Sequence, residues 1–191
     1  MNGKRLYIIA GCNGAGKTTA SFNMLPAILD CREFVNADEI ARGISPFQPD
    51  KVAFEAGRIM LERIHDLMHE GVDFAFETTL STRSFRQFVE KAKNQGYYVS
   101  LLFFWLESPE LAIERVRTRV AEGGHDIPKA TIIRRYHRGL KNLFEWYYDI
   151  CNSVAIYDNS NLFPEIVSIR SDEYGEQILN PYKLKLIKDC I

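Results

Sequence analysis

Apolar residues follow two different periods along this chain, and the two alternate. Leu6-Tyr7-Ile8-Ile9-Ala10 and Tyr97 to Leu106 are nearly continuous apolar runs, as parallel strands covered on both faces require. Shorter runs at Glu33-Phe34-Val35, Phe74-Ala75-Phe76 and Ser153–Tyr157 predict three further strands. Between the strands, apolar positions recur at helical spacing. One predicted helix runs from Lys17 to about Leu29 with Met24, Leu25 and Ile28, and another from about Asp50 to Glu70 with Ala53, Ala56, Met60, Ile64, Leu67 and Met68. Others cover about Ser84–Asn94, Ser108–Ala121 and Lys129–Tyr148. Gly71 sits where a helix C-terminus needs a left-handed residue, and Ser108-Pro109-Glu110 reads as a helix start. The segment Arg42 to Pro49, with its prolines and glycine, reads as a loop.

Strand and helix alternating in this order predict an α/β fold: a mostly parallel five-stranded sheet with helices on both faces. Glu165–Ile169 and the tail from Ile178 form a small C-terminal addition at its edge. With 191 residues and no linker or repeat, residues 1–191 read as a single domain.

Composition narrows the function classes. A net charge of −1 argues against a general nucleic-acid or anionic-membrane binder, which carries a basic excess. Cys12, Cys31, Cys151 and Cys190 are scattered without a C-x-x-C pair, the usage expected of reduced thiols in a cytoplasmic chain. The longest apolar stretch is about half of what a membrane span needs.

The chemistry centres on Gly11-Cys12-Asn13-Gly14-Ala15-Gly16-Lys17-Thr18, which matches G-x-x-x-x-G-K-T directly after the first strand and before a helix. In that context Gly11, Asn13, Gly14, Ala15 and Gly16 expose main-chain N–H groups to a polyphosphate at a helix N-terminus. Lys17 is placed for the outer phosphates, Thr18 for a Mg²⁺ ion, and Thr19 completes the ATP site. No N-K-x-D or L-S-G-G-Q-type segment marks a GTPase or a transporter ATPase. Instead, Gly123-Gly124-His125-Asp126-Ile127-Pro128 interrupts an arginine-rich region between the fourth and fifth strands. That is a lid position, predicted over about residues 119–138, in a P-loop kinase fold.

Guanidinium groups match the charge that spreads over a transferring phosphoryl group. Arg119, Arg134, Arg135 and Arg138 are the candidates, and the buried stripe of the following helix leaves Arg134 and Arg138 one turn apart. Asp38 follows the second strand, where a carboxylate can orient an acceptor hydroxyl and take its proton; an N-cap role is the alternative. Glu77 follows the third strand and suits Mg²⁺ or a substrate hydroxyl, while Thr79 and Arg83 suit a sugar or phosphate. Capping the next helix is the plainer role for this segment.

These segments together resemble the zeta toxin family of P-loop kinases: Gly-Cys-Asn-Gly-Ala-Gly-Lys-Thr-Thr from Gly11, Phe-Val-Asn-Ala-Asp-Glu-Ile-Ala from Phe34, Phe-Glu-Thr-Thr-Leu-Ser from Phe76, and Arg-Val-Ala-Glu-Gly-Gly-His-Asp-Ile-Pro from Arg119 with Ile-Ile-Arg-Arg-Tyr from Ile132 behind it. The resemblance runs from about Leu6 to Ser160. It implies phosphoryl transfer from ATP to a sugar hydroxyl of UDP-N-acetylglucosamine or a related UDP-sugar, restrained by an antitoxin protein. It also implies Lys17 and Thr18 as ATP and Mg²⁺ residues, Asp38 as base, Glu77 and Thr79 as substrate contacts, and Arg119 and Arg134 as lid arginines. Two other outputs stay open at this level: a nucleotide-dependent ATPase or switch acting on a protein partner, and a kinase of a nucleic-acid end or an antibiotic.

Overall fold

The computed structural model describes residues 3–124 and 126–191; His125 of the glycine-rich break lies outside the described residues. Five strands are parallel: β1 (Arg5–Gly11), β2 (Glu33–Val35), β3 (Phe74–Thr78), β4 (Tyr98–Trp105) and β5 (Ser153–Asp158). Two antiparallel strands, β6 (Glu165–Ser171) and β7 (Gly175–Ile178), extend the sheet beyond β5 to the order β2-β3-β1-β4-β5-β6-β7. The five strands expected from the sequence are thus the parallel part of a seven-stranded sheet. From Leu6 to Gly11 of β1 and from Val99 to Trp105 of β4, every residue is buried. Successive side chains point to opposite faces, so both faces of the centre are covered.

The covering helices are α1 (Lys17–Ala27), α2 (Ala37–Ile44), α3 (Ala53–Glu70), α4 (Phe85–Asn94), α5 (Pro109–Ala121), α6 (Lys129–Asn142), the short α7 (Tyr148–Ile150) and α8 (Pro181–Asp189). A π-helical turn, Leu143–Tyr147, joins α6 to α7. α1 packs on β1 and β3, α3 on β2 and β3, α4 on β4, α6 on β1 and α8 on β6. None of the helices is long and apolar enough to cross a membrane among the described residues.

The loop expected over residues 42–49 is shorter in the structure. Arg42, Gly43 and Ile44 continue α2, because a glycine one residue from a helix end is tolerated. Pro46 then forces Ser45 out of helical geometry, to φ −141° and ψ 84°. The helix expected from Asp50 begins with a 3₁₀ turn, Pro49–Val52, before α3 takes over.

Candidate active site

The strand order places β3 and β4 on either side of β1, so the β1–β2 crossover runs to one side of β1 and the β3–β4 crossover carries the chain to the other. The crevice beyond the carboxyl ends of these strands is where an open α/β sheet binds ligands. The phosphate loop between β1 and α1 lies there, and backbone sterics explain its glycines. At Gly14, with φ +79°, an added Cβ would sit 2.8 Å from the Ala112 carbonyl oxygen of α5.

Lys17 is buried, and its Nζ donates to the Cys12 carbonyl at 2.9 Å while lying 3.3 Å from Glu77 Oε1. The other oxygen of Glu77 accepts from the Thr18 hydroxyl at 2.8 Å and from Asn36 Nδ2 at 2.9 Å. Glu77 therefore belongs to the end of β3 itself and faces the loop across the β1–β3 pairing. Burial pushes the Cys12 thiol up to about 11, opposed by the nearby Lys17 charge.

Asn36 caps α2: its Oδ1 accepts from the Asp38 and Glu39 amides at 2.8 and 3.4 Å. The capping duty open to Asp38 thus falls to Asn36, and the Asp38 carboxylate is exposed toward the crevice. It lines the pocket made by Asn13, Gly14, Gly16, Lys17, Thr18, Thr19, Glu77, Arg115 and Arg119. It also lines an adjoining cavity of about 390 Å³, with Asp50, Asp126, Ile127, Thr131 and Arg135 among its walls.

Of the arginines on α6, Arg135 turns to the loop, donating to Asn13 Oδ1 at 3.0 Å. Desolvation lowers its pKa, opposed by the nearby Asp38 charge. Arg134 and Arg138 are exposed and line neither pocket. Arg119 stands on the wall of the loop pocket. Thr79 shares a 2.9 Å hydrogen bond with Ser81, and Arg83 pairs with Glu145 at 3.7 Å and lies over the Trp146 ring. Neither residue lines the two pockets.

The loop after β3 is shaped by α6. Leu80 has φ +56°, a sparsely populated conformation for leucine, and its carbonyl accepts from Asn142 at 2.8 Å. One turn earlier on that helix, a Cβ at Gly139 would lie 2.7 Å from the Thr79 carbonyl oxygen, so glycine sets how closely α6 approaches.

Three contributors escaped the sequence reading. Asn36 carried a signal, an Asn directly before a helix. Arg115 and Asn159 carried none: Arg115 donates to the Asn159 and Ser160 carbonyls at 2.8 and 2.9 Å, and Asn159 Nδ2 donates to the Ala15 carbonyl at 2.8 Å.

Comparisons with known proteins bear on the family and the fold. The family model described as "Zeta toxin" matches residues 2–165. An uncharacterised protein of Haemophilus influenzae is 33% identical over 138 residues, which is 71% of this chain and 94% of the relative. Among solved structures, a chain of the PezAT chromosomal toxin–antitoxin system of Streptococcus pneumoniae superposes with a TM-score of 0.71 at 17% identity, over 100% of this chain and 79% of that one. The AvrRxo1-ORF1:AvrRxo1-ORF2 complex, solved with ATP, superposes with a TM-score of 0.74 at 14% identity, over 96% of this chain and 63% of that one. The chain belongs to the zeta toxin family of P-loop kinases, enzymes that transfer a phosphoryl group to a hydroxyl acceptor.

Proposed function

We propose that this chain transfers the γ-phosphoryl group of ATP to a hydroxyl of a small molecule held in the cavity beside Asp38, and that the acceptor is UDP-N-acetylglucosamine or a related UDP-sugar. The observation that carries the reading is the place of Asp38, which forms part of the wall of both the loop pocket and the adjoining cavity. A carboxylate at that junction can touch the acceptor hydroxyl while the phosphoryl group comes from the loop side.

In this reading Lys17 exchanges the Glu77 carboxylate for the outer phosphates of ATP. Asp38 takes the hydroxyl proton as the acceptor oxygen bonds to the γ-phosphorus; the bond to the bridging oxygen breaks and ADP leaves with the electron pair. Arg135 and Arg119 supply positive charge to the transferring group, and residues 119–138 close over it to exclude water. The Thr18 hydroxyl and Glu77 carboxylate, held 2.8 Å apart beside the loop, are hard oxygen donors suited to Mg²⁺. When bound, Mg²⁺ offsets charge on the β- and γ-phosphates. Thr79, Arg83 and Arg134 line neither pocket and take no part in this reading. The likeness to a toxin–antitoxin system supports a protein antitoxin as partner, and we place the reaction in the cytoplasm.

The test is ATP turnover against a panel of UDP-sugars, nucleosides and oligonucleotides, with Asp38→Asn in parallel. Wild type should phosphorylate a UDP-sugar. The variant should bind ATP as before and lose about 10²- to 10⁴-fold in transfer. Transfer at the wild-type rate by Asp38→Asn removes the base assignment; turnover without preference for any acceptor removes the kinase reading in favour of an ATPase.

A further inference from the structure

The C-terminal addition touches neither wall of the proposed acceptor cavity, yet α8 reaches the phosphate loop through a short chain of polar contacts. Lys183 of α8 places its Nζ 2.6 Å from Asp158 Oδ2 and 2.7 Å from Glu165 Oε2. Asp158 ends β5 with its side chain only 3% exposed. Its second oxygen accepts from both the amide and the hydroxyl of Ser160. Burial alone would push this carboxyl up, but the hydrogen bonds from Lys183 and Ser160 outweigh it and hold it below the ordinary range.

The turn fixed in this way does two things at its outer side. Asn159 holds the Ala15 carbonyl of the phosphate loop, and the Asn159 and Ser160 carbonyls together take both terminal nitrogens of Arg115. Arg115, Asn159 and Ser160 are also walls of a pocket of about 640 Å³ that opens beside Gly16 and Thr19. Leu162 and Phe163, both largely exposed, supply its apolar side. Next to a phosphate loop, a pocket of that size and lining suits the nucleoside half of the nucleotide.

We infer that Lys183 is a positioning residue for the nucleotide, acting through Asp158 to hold the 158–160 turn in its binding shape before the ligand arrives. The identity of the ligand rests on the kinase reading; the clamp itself does not. A buried carboxylate stripped of its ammonium partner must take a proton or swing toward water. Either change releases the Ser160 amide and hydroxyl, and with them the carbonyl pair that orients Arg115. The phosphate loop loses its Asn159 brace at Ala15 while Lys17 and Thr18 keep their own contacts, so the loss falls on nucleotide affinity and leaves the transfer step alone.

The test uses the full chain with Lys183→Met, Lys183→Arg and, as a control on the exposed side of the same helix, Lys185→Met. Two readouts are needed. Titration with ATP should give Lys183→Met a Kd and KM about tenfold higher, the worth of roughly one hydrogen bond, with kcat within about twofold of wild type. Lys183→Arg should restore both, and Lys185→Met should match wild type. Hydrogen exchange on the nucleotide-free protein should be faster for Lys183→Met at residues 12–16 and 157–161. Unchanged nucleotide affinity together with unchanged exchange there, even if the melting temperature falls, overturns the inference and makes Lys183 a fold-stabilising residue only. Should wild type bind no nucleotide, the kinase reading fails, and the exchange result still decides for or against the clamp.

Discussion

Glu77→Gln tests the electrostatics of the loop pocket most directly. The Glu77 carboxylate is the counter-charge 3.3 Å from the buried Lys17 ammonium, and it accepts from Thr18 and Asn36. The Gln side chain has the same shape and retains one acceptor oxygen for Thr18 and Asn36, so the change isolates the Lys17 pairing. Losing a hydrogen-bonded partner of a charged group costs about 1.5–3 kcal/mol. In a chain of this size that lowers the melting temperature by about 3–12 °C. The same substitution removes the group that phosphates must displace from Lys17. In EDTA, inorganic triphosphate should therefore bind the variant more tightly, by about ten- to a hundredfold if the whole pairing energy is recovered. Turnover with ATP and Mg²⁺ should fall at the same time, because Thr18 loses its carboxylate neighbour as a fellow metal ligand. Differential scanning fluorimetry without ligand and calorimetric titration with triphosphate read the two effects separately. An unchanged melting temperature, or weaker triphosphate binding in EDTA, would refute the claim that Glu77 neutralises Lys17.

Three further outcomes follow from contacts at the site. Arg135→Met should lower kcat by about 10³-fold or more, as loss of an arginine acting on a transferring phosphoryl group does, whereas Arg134→Met should stay within about threefold of wild type; steady-state kinetics on both decides which face of α6 serves the reaction. Gly139→Ala would stabilise an ordinary helix interior by about 0.5–1 kcal/mol, but here the new Cβ meets the Thr79 carbonyl at 2.7 Å. The sign should reverse to a loss of about 1–3 kcal/mol, read as a lower melting temperature. The pH dependence of the Lys183–Asp158 pair is fixed by sign. Asp158 has a depressed pKa, so its contribution is present above its ordinary 3.8 and fades as pH falls through the lower folded value. Lys183 has a raised pKa, so its contribution is full below its ordinary 10.5 and fades as pH rises through the higher folded value. Urea unfolding should show the gap between wild type and Lys183→Met widest between about pH 5 and 9 and narrowing toward both extremes.

How much of this was legible in the residues depends on whether a position is set locally or by a distant part of the chain. The parallel strands were visible because burial on both faces writes an unbroken apolar run. The phosphate loop was visible because its glycines, Lys17 and Thr18 act within eight residues of one another. The choice among the α6 arginines was not. Arg134 and Arg138 share a face by helical spacing, but which face meets the loop depends on how α6 lies over β1, and Gly139 against Thr79 sets that approach. Asn159 and Ala15 lie 144 residues apart in sequence, a pairing no local pattern encodes. The antiparallel hairpin of β6 and β7 was half seen, since every residue of β7 is exposed and the strand lacks an apolar signature.

The phosphate loop is braced from three directions by other parts of the chain. Asn13 is held by Arg135 of α6, Ala15 by Asn159 of the turn after β5, and Gly14 lies too close to the α5 backbone to admit a side chain. Such bracing fixes the cost of ordering the loop at folding instead of at binding, so dipoles already point where phosphate charge will sit. The cavity proposed for the acceptor is built differently. The adjoining cavity takes its walls from α2, the 3₁₀ turn before α3, and the segment that leads into α6. Arg135 of α6 is a wall of that cavity as well as the partner of Asn13, so cavity and loop share one side chain. A kinase must keep water from taking the acceptor's place, and a side chain common to the loop and the proposed acceptor cavity is where the two sides can be coupled.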